Sequence, residues 1–128
     1  MAVHQLTTGH EITLVANASL TALQYRIVQV IDDGDVDIVE NNATAPIGVL
    51  MNKPASGAAA RVAIVGAVVK CEAGATLDED DWVTAVAGGR GSAAPSGTNV
   101  YHVGRALSPA ASGEFFRLLV MPGHYTKA

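Results

Sequence analysis

The sequence contains a single cysteine, few aromatic residues and few charged ones. Because Cys71 has no second cysteine to pair with, an internal disulfide is excluded. Aromatic residues make up 5% of the 128 residues and charged residues 16%, whereas hydrophobic residues make up 49%. The chain can therefore bury a core, but it must build that core largely from small side chains such as alanine and valine. We expect one domain whose stability is supplemented by oligomerisation.

Basic surface and long apolar segments are also lacking. The net charge is −4, so the sequence does not have the basic footprint of a nucleic-acid-binding protein. The first residues contain no basic segment followed by an apolar one, which argues against a secretory signal there. The longest apolar run, residues 62–69, is too short to cross a bilayer. We expect a soluble protein made in the cytoplasm that contacts neither nucleic acid nor membrane directly.

The chain does contain a series of short β-branched runs separated by turn residues. A run at residues 25–31, the dipeptide Asp33-Gly34 and a second run at residues 36–39 together predict a β-hairpin. A third run covers residues 60–71, and Gly66 within it predicts a bulge or a sharp bend. Further strands are predicted at residues 47–51, 100–103 and 115–120, and a long loop at residues 87–99.

Short strands with frequent turns and no long helical stretch predict an all-β fold, a compact small β-barrel or sandwich. At most one short helix is expected, near Ser19 or at residues 78–81. Residues 1–18 alternate only briefly between apolar and polar side chains, so they predict an extended N-terminal arm. The β-barrel domain is predicted at residues 19–121, and residues 122–128 are predicted to form a C-terminal tail.

The two acidic segments do not match a metal-binding or catalytic motif. An EF-hand loop has glycine at its sixth position and glutamate at its twelfth; counted from Asp33, these positions hold Ile38 and Thr44. A solvated hairpin turn is the better interpretation of this segment. The four adjacent acids at residues 78–81 predict a hydrated loop, with a patch that meets a basic partner surface as the open alternative.

The remaining reactive side chains are poor candidates for catalysis. Cys71 lies in an apolar run, which predicts a buried and inert thiol. No two of the four histidines have the spacing of a zinc motif. The glycine-rich segment at residues 87–92 lacks the lysine of a phosphate-binding loop. We therefore predict that the protein is not an enzyme and that it has no catalytic residue, no metal site and no cofactor.

Several apolar and glycine-containing motifs follow one another in a characteristic order along residues 18–120. They are Leu20-Thr21-Ala22-Leu23, Ala45-Pro46-Ile47-Gly48-Val49-Leu50, Asn52-Lys53-Pro54, Val62-Ala63-Ile64-Val65-Gly66-Ala67-Val68, Glu72-Ala73-Gly74-Ala75, Val103-Gly104-Arg105-Ala106-Leu107 and Gly113-Glu114-Phe115-Phe116-Arg117-Leu118-Leu119-Val120. In this order they resemble the small decoration, or cement, proteins of tailed-bacteriophage capsids, some of which have been labelled as recombinases. The chain departs from many of these relatives at Glu79-Asp80-Asp81, where they have glycine before an acid.

The resemblance implies a compact β-barrel that is not an enzyme. It implies a homotrimer on the outer surface of a phage head, where the protein binds the major capsid protein and stabilises its lattice. The localisation that it implies is the virion, after synthesis in the cytoplasm of the bacterial host. Because the N-terminal arm of such proteins often contacts the major capsid protein, the capsid contacts are predicted at Leu6, Thr7, Ile12 and Leu14.

Residues 100–103 alternate in the manner of a strand that faces solvent or another subunit. A subunit interface is accordingly predicted at Tyr101, His102 and Arg105. Two other classes of function stay open. A small β-barrel module that binds a protein or ligand outside the virion would need a polar pocket, and an enzyme would need convergent titratable groups. A screen for activity, combined with substitution of Cys71, His102 and Asp81, would identify an enzyme.

Overall fold

The computed structural model describes residues 10–95 and 97–127, and it confirms the all-β prediction. Within the described residues there is no α-helix; the two helical segments are single 3₁₀ turns at Asp32–Gly34 and Ala87–Gly89. The ten strands are β1 (Glu11–Ala16), β2 (Ile27–Val30), β3 (Asp35–Ile38), β4 (Gly48–Leu50), β5 (Ala59–Ala63), β6 (Val68–Glu72), β7 (Trp82–Val86), β8 (Arg90–Ala93), β9 (Gly97–Ala106) and β10 (Phe115–Lys127).

The first five strands close into a barrel in the order β1-β3-β2-β4-β5. Strand β1 joins the two ends, because it pairs in parallel with β3 and antiparallel with β5. Alternate side chains of these strands point inward and form an apolar core. Its buried members on the strands are Ala16, Val28, Val36, Leu50, Ala60 and Val62, and Leu20 joins them from the segment between β1 and β2.

The predicted hairpin is confirmed as β2 and β3, which pair antiparallel across the Asp32–Gly34 turn. Asp33 has a φ of 63° and Gly34 a φ of 80°, so both residues lie in the left-handed region. A turn of this kind matches the right-handed twist of the strands on either side, and aspartate followed by glycine tolerates it best. The local sequence alone therefore determines this part of the barrel.

The other five strands form a second sheet in the order β6-β10-β9-β7-β8. A bridge between Ala73 and Gly91 connects its two edges, so this sheet also curves around its own core. Phe116 is the largest side chain in that core, and a Cβ atom on Gly91 would lie 3.0 Å from the Phe116 ring. The ring therefore needs a glycine at position 91.

One core cluster extends from the second sheet into the first. Ile27, Val39 and Val49 from the first barrel belong to the same cluster as Val83 and Phe116 of the second sheet. The predicted single run at residues 60–71 is divided between the two sheets: β5 ends at residue 63 and β6 begins at residue 68. Gly66, with a φ of 96°, lies in the turn between them, which confirms the predicted bend.

The structure corrects three boundaries that the sequence suggested. Residues 11–16 of the predicted arm form β1 and belong to the barrel, because their hydrogen-bonding partners β3 and β5 lie far away in the sequence. Residues 122–127 of the predicted tail are part of β10, which accommodates Pro122 at a register shift between Val120 and Gly123. The predicted loop at residues 87–99 contains β8 and the beginning of β9.

Residues 1–9 of the predicted arm lie outside the described residues. Ser19 lies in an irregular segment and residues 78–81 form turns, so neither site of the expected short helix is helical. No helix in residues 10–95 or 97–127 has the length and apolar character needed to traverse a bilayer.

Replacing Gly48 with alanine should destabilise the protein strongly, because the added Cβ would lie 1.8 Å from the Ala63 carbonyl oxygen in β5. We expect the free energy of unfolding to fall by about 3 kcal/mol, as for overpacked cores. Gly34→Ala is the control: its Cβ meets nothing within 4 Å, and only its positive φ opposes the change, at about 1 kcal/mol. Urea unfolding measures both losses, and equal losses would contradict the prediction.

Candidate interaction surface

Cys71 is completely buried in the second sheet, which confirms the prediction of a buried, inert thiol. Burial raises the pKa of the thiol to about 12, with a further contribution from the charge of Glu72. Nucleophilic cysteines need the thiolate form and access to solvent, and Cys71 has neither. Cys71 contributes to the packing of the core.

The acidic segment at residues 78–81 is held by its own side chains and by Arg105. The Asp78 backbone N–H donates to the Asp81 carboxylate over 2.9 Å, and Asp80, with a φ of 73°, forms an ion pair with Arg105. The segment is thus a structured turn at the surface. Within residues 10–95 and 97–127 no group of three or more histidine, cysteine, aspartate or glutamate side chains is arranged to hold a metal ion.

The predicted interface residues Tyr101, His102 and Arg105 all lie on β9. The Arg105 guanidinium lies 4.8 Å from the centre of the Trp82 ring, and the Tyr101 ring lies 4.6 Å from that of His124. Tyr101 and Arg105 are partly exposed. They do not form one cluster, since each stacks on a different neighbour.

His102 differs from the expectation of a residue that faces solvent or a partner, because only 8% of its surface is exposed. Its ring packs against Trp82 at 4.2 Å between centroids. Burial lowers the pKa of His102, and the nearby His124 lowers it further, while a hydrogen bond with the Met121 backbone acts in the opposite direction. His102 therefore supports the fold of the second sheet.

The predicted capsid contacts in the arm fall into two groups. Ile12 and Leu14 lie on β1, where both are partly buried and pack against the core of the first barrel. Leu6 and Thr7 lie outside the described residues. Because Ile12 and Leu14 pack against the barrel core, changing either of them would disturb the barrel as well as any contact that they make.

The outer surface of the second sheet carries a group of apolar and basic side chains that we call the basic face. The pairing of the strands determines which of these side chains are neighbours: Lys70 lies opposite Arg117, and Leu119 lies between Val68 and Arg105. The basic face consists of Val68 and Lys70 on β6, Arg105 on β9, Leu107 directly after β9, and Phe115, Arg117, Leu119 and Met121 on β10.

Lys70 is the centre of the basic face. Its ammonium group lies 4.6 Å from the centre of the Phe115 ring and 4.9 Å from that of Tyr25. The two rings meet edge to face at 5.6 Å, although Phe115 is 47% exposed. A cation over two aromatic rings keeps its charge while it shields apolar surface. The arrangement therefore presents a positive charge and an aromatic ring at one place.

The carboxylate of Glu72, next to the basic face on β6, is already neutralised by two arginines. Arg26 lies 3.3 Å from one carboxylate oxygen and Arg90 lies 3.8 Å from the other. Arg26 also donates to the Gly88 carbonyl oxygen over 2.7 Å, which ties the β7–β8 turn to the first barrel. Because Glu72 is engaged in this way, it does not cancel the charge of Lys70 and Arg117.

A second surface feature is an open apolar groove of about 460 Å³ where the two sheets meet. The groove lies between the loop before β6 and the bulge of β10. Val65, in this loop, is 61% exposed. The other lining residues are Pro46, Ile47, Ile64 and Pro122. The groove contains no charged side chain among its lining residues, so it offers shape and apolar contact but no charge.

The sequence analysis named Arg105 but not Lys70, Phe115 and Arg117, which lie on the same face. The signal was in the alternation of residues 115–121, where residues 116, 118 and 120 are buried and their neighbours point outward. It was obscured because Phe115 and Phe116 are both aromatic, so both faces of β10 look apolar. The pairing of β10 with β6, which places Lys70 beside Phe115, is not visible in the sequence.

No protein-family model matches this chain, and no curated protein matches its sequence. Among solved structures, the chain is similar to the N base of head fiber gp8.5 of bacteriophage phi29, with a TM-score of 0.66. The two chains are 20% identical in sequence, and the similarity covers 87% of this chain and 92% of that one. The two proteins share a fold across nearly their whole length.

The burial of Cys71 predicts a specific dependence of stability on pH. Its pKa is about 12 in the folded protein and 9.0 in the unfolded chain, so deprotonation above pH 9 favours unfolding. The stabilisation is complete below pH 9 and is lost as the pH rises toward 12. Between pH 8 and pH 10, the wild type should lose about 1.4 kcal/mol more than Cys71→Ala, which has no thiol. Urea unfolding at both pH values measures this; parallel losses would contradict it.

Proposed function

We propose that this protein is a structural component of a tailed-bacteriophage head, which binds the outer surface of the shell and stabilises the lattice of the major capsid protein. The observation that carries the proposal is the fold that it shares with the base of the phi29 head fiber. A fold alone is compatible with many functions. The order of sequence motifs along residues 18–120, which resembles that of capsid decoration proteins, supports the same role independently.

An adhesive role also agrees with the chemistry of the surface. The apolar residues left outside the two cores include Val65, Phe115 and Met121, which is more typical of contact surfaces than of catalytic sites. Cys71, whose thiol would be the strongest nucleophile in the chain, is buried in the core. We therefore propose a structural protein rather than an enzyme.

The proposed mechanism is thermodynamic. A ligand that binds only the assembled lattice stabilises it against dissociation by mass action. A trimer gains avidity, because after one subunit has docked the other two bind at a high effective concentration. A contact of standard size would bury about 800 Å² on each partner. The protein would thus strengthen the shell from outside, as a homotrimer, without any chemical reaction.

The presence of the chain in mature heads tests this proposal directly. Purified heads should contain the protein in many copies, as quantified by mass spectrometry against the major capsid protein. Recombinant protein should also cosediment with heads from which it has been removed, and those heads should then resist heating better than undecorated ones. Heads that lack the protein, or that do not bind it, would contradict the proposal.

The segment before β1 is the proposed capsid contact, with Leu6 and Thr7 as its central residues. Deletion of residues 2–9 should abolish cosedimentation with heads and leave the oligomer folded, because β1 begins only at Glu11. A longer deletion through residue 14 would remove most of β1 and open the barrel, so it could not separate binding from folding.

Leu6→Ala/Thr7→Ala in the full-length chain is the matched test of side-chain contact, with His4→Ala as the control in the same segment. Circular dichroism and sedimentation velocity verify that each variant is folded and assembled. Undiminished binding after the deletion would show that another surface contacts the shell.

A further inference from the structure

The exposed apolar residues are not spread evenly over the molecule. Within the described part of the chain, seven large hydrophobic side chains are exposed, and four of them lie on one face. These four belong to the basic face: Val68, Leu107, Phe115 and Met121. A fifth, Val30, lies beside the β2–β3 turn. A group of exposed apolar side chains on one face marks an interaction site.

The end of the β2–β3 hairpin carries the opposite charge to the basic face. Asp32 and Asp33 form this exposed end, next to Val30. Val15 is not part of it, because Val15 lies opposite Asp35 on the outside of the barrel, whereas Val30 lies opposite the buried Val36. We call Val30, Asp32 and Asp33 the acidic tip. It combines an exposed valine with two exposed carboxylates, as the basic face combines apolar residues with cations.

Four charges on these two surfaces are available for an outside partner. The structure gives Lys70 and Arg117 no ion pair with any residue in 10–95 or 97–127, whereas Arg105 of the basic face pairs with Asp80. Asp32 and Asp33 likewise have no ion pair over those ranges. Two surfaces of opposite charge are complementary to each other.

The other acidic segment, residues 78–81, is less suited to this role. Asp80 already pairs with Arg105 of the basic face in the same chain, and Asp81 accepts the Asp78 backbone N–H. Two of its four carboxylates are therefore used inside the chain. The acidic tip is the better partner for the basic face.

We infer that the basic face of one copy of this chain binds the acidic tip of the next copy. The inference rests on the homotrimer of the proposed function and identifies the surfaces that build it. Because the two patches differ, each contact is head-to-tail, and such contacts close into a ring when the rotation between neighbours allows it. A two-fold contact of the basic face with itself would bring Lys70 and Arg117 against like charges, which disfavours it.

Phe115 is the expected centre of the contact. Aromatic side chains at the middle of an interface contribute most of the binding energy when they are fully desolvated, and Phe115 and Val68 supply apolar area for Val30. The surrounding charges fix the orientation and accelerate association. Because exposed charge pairs are screened by salt, self-association should weaken between about 50 mM and about 500 mM NaCl.

Charge reversal tests the inference with purified full-length protein. The face variant is Lys70→Glu/Arg117→Glu, and the tip variant is Asp32→Lys/Asp33→Asn, where asparagine suits the positive φ of position 33. Each should raise the dissociation constant of the oligomer at least about tenfold in sedimentation velocity. The variant with all four changes should regain most of the wild-type affinity. Lys53→Glu, an exposed lysine outside both patches, should have no effect.

The outcomes separate this inference from the proposed function. Unchanged assembly of the face variant, or a four-residue variant that does not regain affinity, would overturn the pairing of the two patches. A wild-type chain that is monomeric at all concentrations would overturn it too, whereas head binding of the wild type is measured separately by cosedimentation. Circular dichroism verifies folding, and the single exposed change Arg117→Glu replaces the face variant if that variant does not fold.

Discussion

The close approach of strands around two cores of small side chains is the constraint on which the rest of the structure depends. Valine and alanine fill a barrel only if its walls come near each other. Neighbouring strands are close as well, because a Cβ atom on Gly48 or Gly104 would lie within 2 Å of a carbonyl oxygen on the adjacent strand. Closure also uses the strand edges: β1 joins both ends of the first barrel, and the Ala73–Gly91 bridge connects the edges of the second sheet. Contacts with other molecules are therefore left to side-chain faces and turns rather than to unpaired strand edges.

The alternation of side chains along a strand explains why large apolar side chains appear on the outside. Neighbouring residues point to opposite faces, so only one of the two adjacent rings on β10 can face the core, and that ring is Phe116. Phe115 points outward, where Lys70 lies over its ring. The ammonium group keeps this surface hydrated in the free protein and gives it a positive charge. The basic face thus follows from strands that carry apolar residues on both of their faces.

The parts of the fold that the sequence predicted are those with local causes. Asp33-Gly34 predicted the β2–β3 hairpin because its two backbone conformations are a property of those residues. The arm prediction was wrong at residues 11–16, since β1 is a strand only through distant partners. Strand β8 was missed because Arg-Gly-Ser-Ala has low strand propensity and depends on its pairing with β7. The same reason applies to the basic face: Arg105 was named from its own strand, whereas Lys70 and Phe115 meet only when β6 pairs with β10.

The two patches of the proposed subunit contact lie on different sheets, so their relative orientation depends on what joins those sheets. A single apolar cluster does so, with Ile27 and Val49 from the first barrel packed together with Phe116 of the second sheet. Close-packed protein interiors are stiff, so the orientation of one sheet relative to the other is maintained. The direction from the acidic tip to the basic face is then fixed within each copy. In a head-to-tail assembly this fixed direction sets the rotation from one copy to the next, and therefore the number of copies that closes the ring. The shared core that stabilises the monomer would in this way also determine the symmetry with which the protein meets the shell.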